Sequence, residues 1–342
     1  MGIETILISD GDGWKNFKGD INIVYKNKSI NIFSKILRHF EKYYTFKKIF
    51  NNINLRSTDI ILIANPHFIP LYKFKDTINF LISKTKNIFL SAIGTDWIYV
   101  SYSSKLKYWP YMNDIFIKFK YFLLYKRRDL YLLRIIRRII PSLYDYSMPY
   151  KLSPFQTKVS TTLPLPFDSK DIHIKKQKVN QKIIIFHGII RRKFKGSEII
   201  EKALNKIQLE FPNDLEIIVK GNMKFSEYEK FLDSIDILVD QCKSYSYGMN
   251  TLYALSKGKI VLTGFHKLSK KDLNVNFDTP FLIGISPSEH KIYEELKKII
   301  ITAKKDPKFL IKMNKLAKNY VNEIHSLQKI SKLYLDTLNA KI

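Results

Sequence analysis

The sequence predicts an α/β protein of two doubly wound parallel-sheet domains, and three observations support that prediction. The chain's 342 residues are 45% hydrophobic, enough for two cores of ordinary size. Short apolar runs alternate with helical patterns in both halves, as they do when a parallel sheet lies between layers of helices. Residues 164–181, rich in Pro, Lys and Asp, have the composition of an interdomain connection.

In the first half, residues 6–9 predict a strand, about 32–50 a helix, and 59–64 and 88–93 two further strands. A long helical stretch follows over 113–140, ended by Pro141. The second half reads as strand 182–186, helix 197–211, strand 215–219, helix 226–233, strand 237–240, helix 248–257 and strand 259–262. From His290 the chain is helical to its end. The expected domains are 1–165 and 166–325, with 326–342 a helix folding back on the first domain. No internal repeat is visible.

Lys and Arg number 58 against 31 Asp and Glu, a net charge of +27 that attracts polyanions such as nucleic acid, anionic lipid headgroups or phosphorylated substrates. The abundance of Lys, Asn and Ile throughout the chain also fits a compositional bias of the genome. Cys242 is alone, so nothing points to an oxidising compartment. Residues 1–10 lack the basic start and long apolar stretch of a secretory signal, and charged or polar residues cut every apolar run short of the roughly 20 residues of a membrane span. The expected location is the cytoplasm, with attachment to the inner face of the membrane as a further expectation.

Ligands bind in open α/β sheets beyond the carboxyl ends of the strands, so the loops after strands hold the candidate site. His187-Gly188-Ile189-Ile190-Arg191-Arg192-Lys193-Phe194-Lys195-Gly196-Ser197 lies between a strand and a helix. Cations are disfavoured at the positive end of a helix dipole, so Arg191, Arg192 and Lys195 there point to a bound diphosphate. Asp240 and Gln241 end a later strand, and Tyr247, Gly248, Met249, Asn250 and Thr251 lead into the next helix. Gly248 permits close approach of a ligand, while Asn250 and Thr251 serve either a phosphate or ordinary capping. Gly221 follows the strand over 215–219.

In the first half, Asp10, Gly11, Asp12, Gly13 and Trp14 form a turn whose carboxylates suit ligand hydroxyls or, for Asp12, general-base work. Its Asp-x-Asp form is read as a cleft loop, not a metal site. Gly94, Thr95 and Asp96 follow the strand over 88–93, as a helix cap or with Asp96 in a catalytic role. His187, His266 and His290 lack metal-ligand spacing, and no P-loop is present, so neither metal nor cofactor is expected. Between Phe116 and Ile140, Lys118, Lys120, Lys126, Arg127, Arg128, Arg134, Arg137 and Arg138 stand among aromatic and aliphatic residues. That stretch reads either as a basic amphipathic helix on an anionic membrane or as a core helix with a solvated face. No RNA-binding or helix-turn-helix signature appears, so nucleic acid is not an expected partner.

Over roughly 182–264 the ordered set His187-Gly188, Arg191-Arg192, Lys195-Gly196, Asp240-Gln241, Tyr245-Ser246-Tyr247, Met249-Asn250 and 254–259 resembles the group 1, or family 4, glycosyltransferases of bacterial surface-polysaccharide assembly. The resemblance implies the GT-B fold, two Rossmann-like domains facing a central cleft. It implies a nucleotide-sugar donor, a glycan or lipid-linked acceptor, and transfer with retention and without metal. Lys195 and Arg191 or Arg192 would bind the donor diphosphate, joined by the Gly248 loop. The Asp10–Gly13 turn and Gly94–Asp96 would meet donor and acceptor near the reacting carbon. Tyr245 and Tyr253 depart from the pattern, occupying positions where many members carry two glutamates. That departure fits either a divergent active branch or a sugar-nucleotide-binding protein without catalysis.

Overall fold

The computed structural model describes residues 4–9, 19–23, 32–168, 182–275, 278–306 and 308–340. The turn from Asp10 through Gly11, Asp12 and Gly13 to Trp14 lies outside the described residues. The chain divides into two compact units, one formed by Met1–Trp97 and Lys118–Ile139, the other by Ile98–Ile117 and Ile140–Ile342.

In the first unit, β1 (Ile8–Ser9) pairs in parallel with β2 (Ile21–Asn22). A separate three-stranded sheet has the order β3 (Ile61–Ile63), β4 (Ile88–Ala92), β5 (Arg138–Pro141), the last strand running from one unit into the other. All five residues of β4 are buried, as expected of a central strand covered on both faces. The helix Ile32–Asn52 packs its Phe46 and Phe50 rings against each other, and the helix Phe74–Lys84 buries Ile78 and Leu81.

Residues 113–140 are not one helix. The helix Ile115–Lys120 passes through a π turn, Tyr121–Tyr125, into the helix Lys126–Ile135, and Ile136 then leaves helical geometry at φ −50°, ψ 128°. Arg137 N–H donates to the Ile88 carbonyl at 2.9 Å, and Arg138–Pro141 is a strand in which Ile139 and Ile140 are fully buried. Two-sided burial in a sheet outweighs the local helical pattern, and Pro141 is a strand residue, not a helix stop.

Arg128 is not part of a solvated cationic face. Its Nε and Nη2 donate to Asp129 Oδ1 at 2.9 and 2.7 Å and its Nη1 to the Ile69 carbonyl at 3.1 Å, all in the interior. The second Asp129 oxygen accepts from Trp97 N–H at 2.9 Å, and burial raises the Asp129 pKa.

The second unit holds a five-stranded sheet of order β10-β9-β8-β6-β7. Its strands are β6 (Ile183–Ile189), β7 (Leu215–Gly221), β8 (Ile237–Val239), β9 (Ile260–Thr263) and β10 (Leu282–Gly284), parallel at every pairing. The core draws on both faces of this sheet, with Ile185, Phe186, Leu238 and Val261 fully buried and Ile200, Leu204 and Ile207 contributed by the helix Ser197–Glu210. The chain starts at β6, one strand in from the edge, adds β7 as that edge, then crosses to β8 on the other side. The helices Glu289–Lys305, Phe309–His325 and Leu327–Asn339 follow, and Tyr334 of the last meets Ser142 Oγ at 3.2 Å.

Candidate functional site

Where strand order reverses in an open sheet, the loops on either side diverge and leave a crevice at the strands' carboxyl ends. In the second unit the reversal falls between β6 and β8, so that crevice is bordered by the loop after β6 and the loop after β8. These loops carry Arg191, Arg192, Lys195, Asp240, Gln241, Tyr247 and Gly248 of the residues the sequence singles out. Cys242 N–H donates to the Lys195 carbonyl at 2.9 Å and joins the loops. At their junction Gly196 has φ 76°, and a Cβ there would stand 2.5 Å from Cys242 Sγ, so the close approach requires glycine.

Lys195 is buried at the centre of this junction. Its Nζ donates to the Gly188 carbonyl and to Asp240 Oδ1, both at 2.8 Å. Asn250 Nδ2 donates to the same Asp240 oxygen at 2.6 Å and Thr251 Oγ1 to the other at 3.1 Å, while the Tyr228 hydroxyl donates to Asn250 Oδ1. Burial pushes the Asp240 pKa up, but the Lys195 charge and the donated hydrogen bonds outweigh it and hold the carboxyl below its ordinary value. Lys195 is therefore a buried, partnered cation, with an ionised carboxylate fixing it to the start of the helix Met249–Ser256.

That helix begins without a side-chain cap, and Gly248 has nothing within 4 Å of where a Cβ would stand. Open space therefore lies beside a helix N-terminus whose first N–H groups lack intrahelical partners. Arg191 is exposed, with its guanidinium 4.0 Å above the Phe194 ring. Arg192 turns elsewhere, forming a forked ion pair with Glu201 on the next helix.

Other residues named from sequence are committed to the fold. His187 is fully buried, its Nδ1 2.7 Å from the Val239 carbonyl and its Nε2 2.8 Å from Ser197 Oγ, and burial lowers its pKa. Tyr247 is buried, with its hydroxyl 2.6 Å from that of Tyr320 and 2.9 Å from His325 Nε2. Gln241 donates to Ser244 Oγ at 2.7 Å and to the Ser246 carbonyl at 3.0 Å, shaping the loop before Gly248. A Cβ on Gly221 would stand 2.5 Å from the Ile189 carbonyl, so this glycine allows β7 to lie against β6. In the first unit, Gly94 packs against Asn65, Thr95 is half-buried and Asp96 is buried, all beyond the carboxyl end of β4. Among the described residues, no three His, Cys, Asp or Glu side chains gather as metal ligands.

Tyr228 and Asp145 belong to this neighbourhood and are not singled out from sequence, while Phe194 and Ser197 stand in the stretch from His187 to Ser197 without a role of their own. Tyr228 and Ser197 carried no signal beyond their residue type, because only the fold brings them to Asn250 and His187. Asp145 Oδ1 accepts from Tyr245 N–H at 2.9 Å, and Tyr245 stacks on Tyr108 with centroids 4.5 Å apart. Burial pushes Asp145 up to about 6 against the lowering pull of hydrogen bonds from Tyr245 and Ser246. Because this carboxyl binds its proton more tightly folded than unfolded, its contribution to stability falls as pH rises from about 4 to about 6 and is then constant. Relative to Asp145→Asn, the wild type is expected to lose about 3 kcal/mol of unfolding free energy across that window. Parallel urea titrations at pH 4 and pH 7 check it, and an equal pH dependence in the two proteins would refute it.

No protein-family model and no curated protein sequence matches the chain. Solved structures do. A variant of TarM from S. aureus, in complex with fondaparinux, alpha-GlcNAc-glycerol and UDP, aligns with a TM-score of 0.61 at 11% identity over 88% of this chain and 59% of that one. A glycosyltransferase from Rickettsia africae aligns at 0.51 and 12%, over 93% and 84%. The pneumococcal O-GlcNAc transferase GtfA, in complex with UDP and GlcNAc, aligns at 0.52 and 12%, over 88% and 60%. The chain thus spans about three-fifths of the length of TarM and GtfA. At these identities the likeness is one of fold, and the chain has the α/β fold of GT-B glycosyltransferases, with Rossmann-like parallel sheets.

Proposed function

We propose that this protein is a glycosyltransferase that moves a sugar from a nucleoside-diphosphate donor to a glycan or lipid-linked acceptor in surface-polysaccharide assembly. The observation that carries the reading is the switch point of the five-stranded sheet, where the loop that holds Arg191 is joined through Lys195 and Cys242 to the loop that leads into the uncapped Gly248 helix start. The neighbours in complex with UDP lend support, as does the resemblance of residues 182–264. As the glycosidic bond to the diphosphate breaks, negative charge grows on the departing oxygen. Arg191 and the N–H groups of Met249 and Asn250 would stabilise it there. Lys195, neutralised by Asp240, holds the two loops in register. The acceptor hydroxyl attacks the sugar carbon and gives up its proton, a role for which Asp12 and Asp96 are the candidates. Transfer proceeds without a metal ion in this reading, and the resemblance favours retention.

A panel of nucleoside-diphosphate sugars, read by thermal shift and by release of nucleoside diphosphate with and without glycan acceptors, tests this. At least one donor is expected to raise Tm and to be turned over. A panel with neither shift nor release would contradict it. A second reading, donor binding without transfer, draws on Tyr245 and Tyr253. Tyr245 stacks on Tyr108, and Tyr253 meets Phe167 and Phe225 edge-on at 5.1 Å, so both act as packing residues where the resemblance expects acids. A thermal shift without release would favour that reading.

A further inference from the structure

The helical run of the first unit from Lys118 to Arg127 exposes an apolar face. Phe119, Phe122, Leu123 and Leu124 are each between 51% and 60% exposed, the kind of contiguous apolar surface a soluble protein keeps small. Their spacing explains the shared face: 122 and 123 each lie one helical turn beyond 119, and the π turn Tyr121–Tyr125 widens the stripe to include Leu124. The opposite side is anchored by buried Tyr121, by the Arg128–Asp129 pair and by Leu132. Ile115 and Phe116, at the start of the helix Ile115–Lys120, are also exposed.

Cations flank the stripe. Lys120 and Arg127 are exposed, Lys118 and Lys126 are half-buried, and the Lys126 ammonium stands 4.4 Å above the Phe122 ring. The sequence between Asp114 and Asp129 contains no acidic residue. Among the described residues no helix is long and apolar enough to cross a membrane.

We infer that this face docks the protein on an anionic phospholipid bilayer, with the Phe119–Leu124 side chains entering the boundary between headgroups and acyl chains and Lys118, Lys120, Lys126 and Arg127 meeting the phosphates. An apolar stripe edged by cations matches both layers of such a surface. A second copy of the chain fits less well, because a symmetric contact through this face would set like charges against each other. Nucleic acid would engage the cations and leave the leucines without a partner. This docking does not depend on the transfer reaction.

Sedimentation with vesicles of phosphatidylglycerol and of phosphatidylcholine tests the inference. The full chain is expected to bind the anionic vesicles selectively. The variant Phe119→Ser/Phe122→Ser/Leu123→Ser is expected to lose about tenfold or more of that binding with Tm unchanged, since these side chains are already exposed. Lys120→Gln/Arg127→Gln is expected to weaken binding to anionic vesicles and to reduce its salt dependence. Equal binding to the two vesicle types, or a serine variant that binds like wild type, would overturn it. So would serine substitutions that only split a dimer, or cations that bind RNA and not vesicles.

Discussion

Replacing Asp240 with Ala is expected to destabilise the second unit by about 3–5 kcal/mol, the range for removing one partner of a buried ion pair. The loss is large because Lys195 is left buried with the Gly188 carbonyl and no counter-charge. Asn250 and Thr251 lose their acceptor in the same substitution. Replacing both charges, as Lys195→Met/Asp240→Leu, is expected to recover most of the loss, since a buried pair contributes little more than apolar side chains of similar volume. Urea unfolding of the two variants and wild type checks both statements. The single variant unfolding at the wild-type midpoint would contradict this account of the junction. The depressed Asp240 pKa implies that its contribution is complete above the ordinary Asp range and is lost as pH falls, opposite in direction to that of Asp145.

The second large effect is on turnover. Arg191→Ala is expected to lower kcat about 10²–10³-fold, the usual consequence of removing one donor from developing negative charge. Tm should barely change, because the guanidinium is exposed and lies over the face of the Phe194 ring. Arg192→Ala is expected to leave kcat near wild type, since Arg192 is held by Glu201. Steady-state rates with the best donor of the panel distinguish the two. Equal losses from both substitutions would remove the distinction between the neighbouring arginines.

That distinction was not legible in the sequence, where Arg191 and Arg192 are equivalent cations beside a helix start. Only the backbone turn at Arg191 and the position of Glu201 nine residues beyond Arg192 separate them. The second sheet, by contrast, was legible almost strand by strand. The run predicted over 215–219 is β7 at Leu215–Gly221, and the helix predicted over 197–211 is Ser197–Glu210. Strands buried on both faces read as short apolar runs, and Gly and Asp mark their ends clearly. The first unit was harder to read, because Arg137 and Arg138 continue a cationic helical pattern into what is a buried strand. That strand depends on pairing with β4, a distant segment that local periodicity does not report. The Lys195–Asp240 pair is half visible: both residues stand beside strand ends where the sequence puts the candidate site, and nothing in their spacing shows that they satisfy each other.

The most direct test is a crystal structure of the protein with bound UDP. The pyrophosphate is expected against the Met249 and Asn250 N–H groups beside Gly248, within hydrogen-bonding reach of Arg191 and above the intact Lys195–Asp240 pair. UDP bound away from the loops after β6 and β8, or no density for it at saturating concentration, would contradict it.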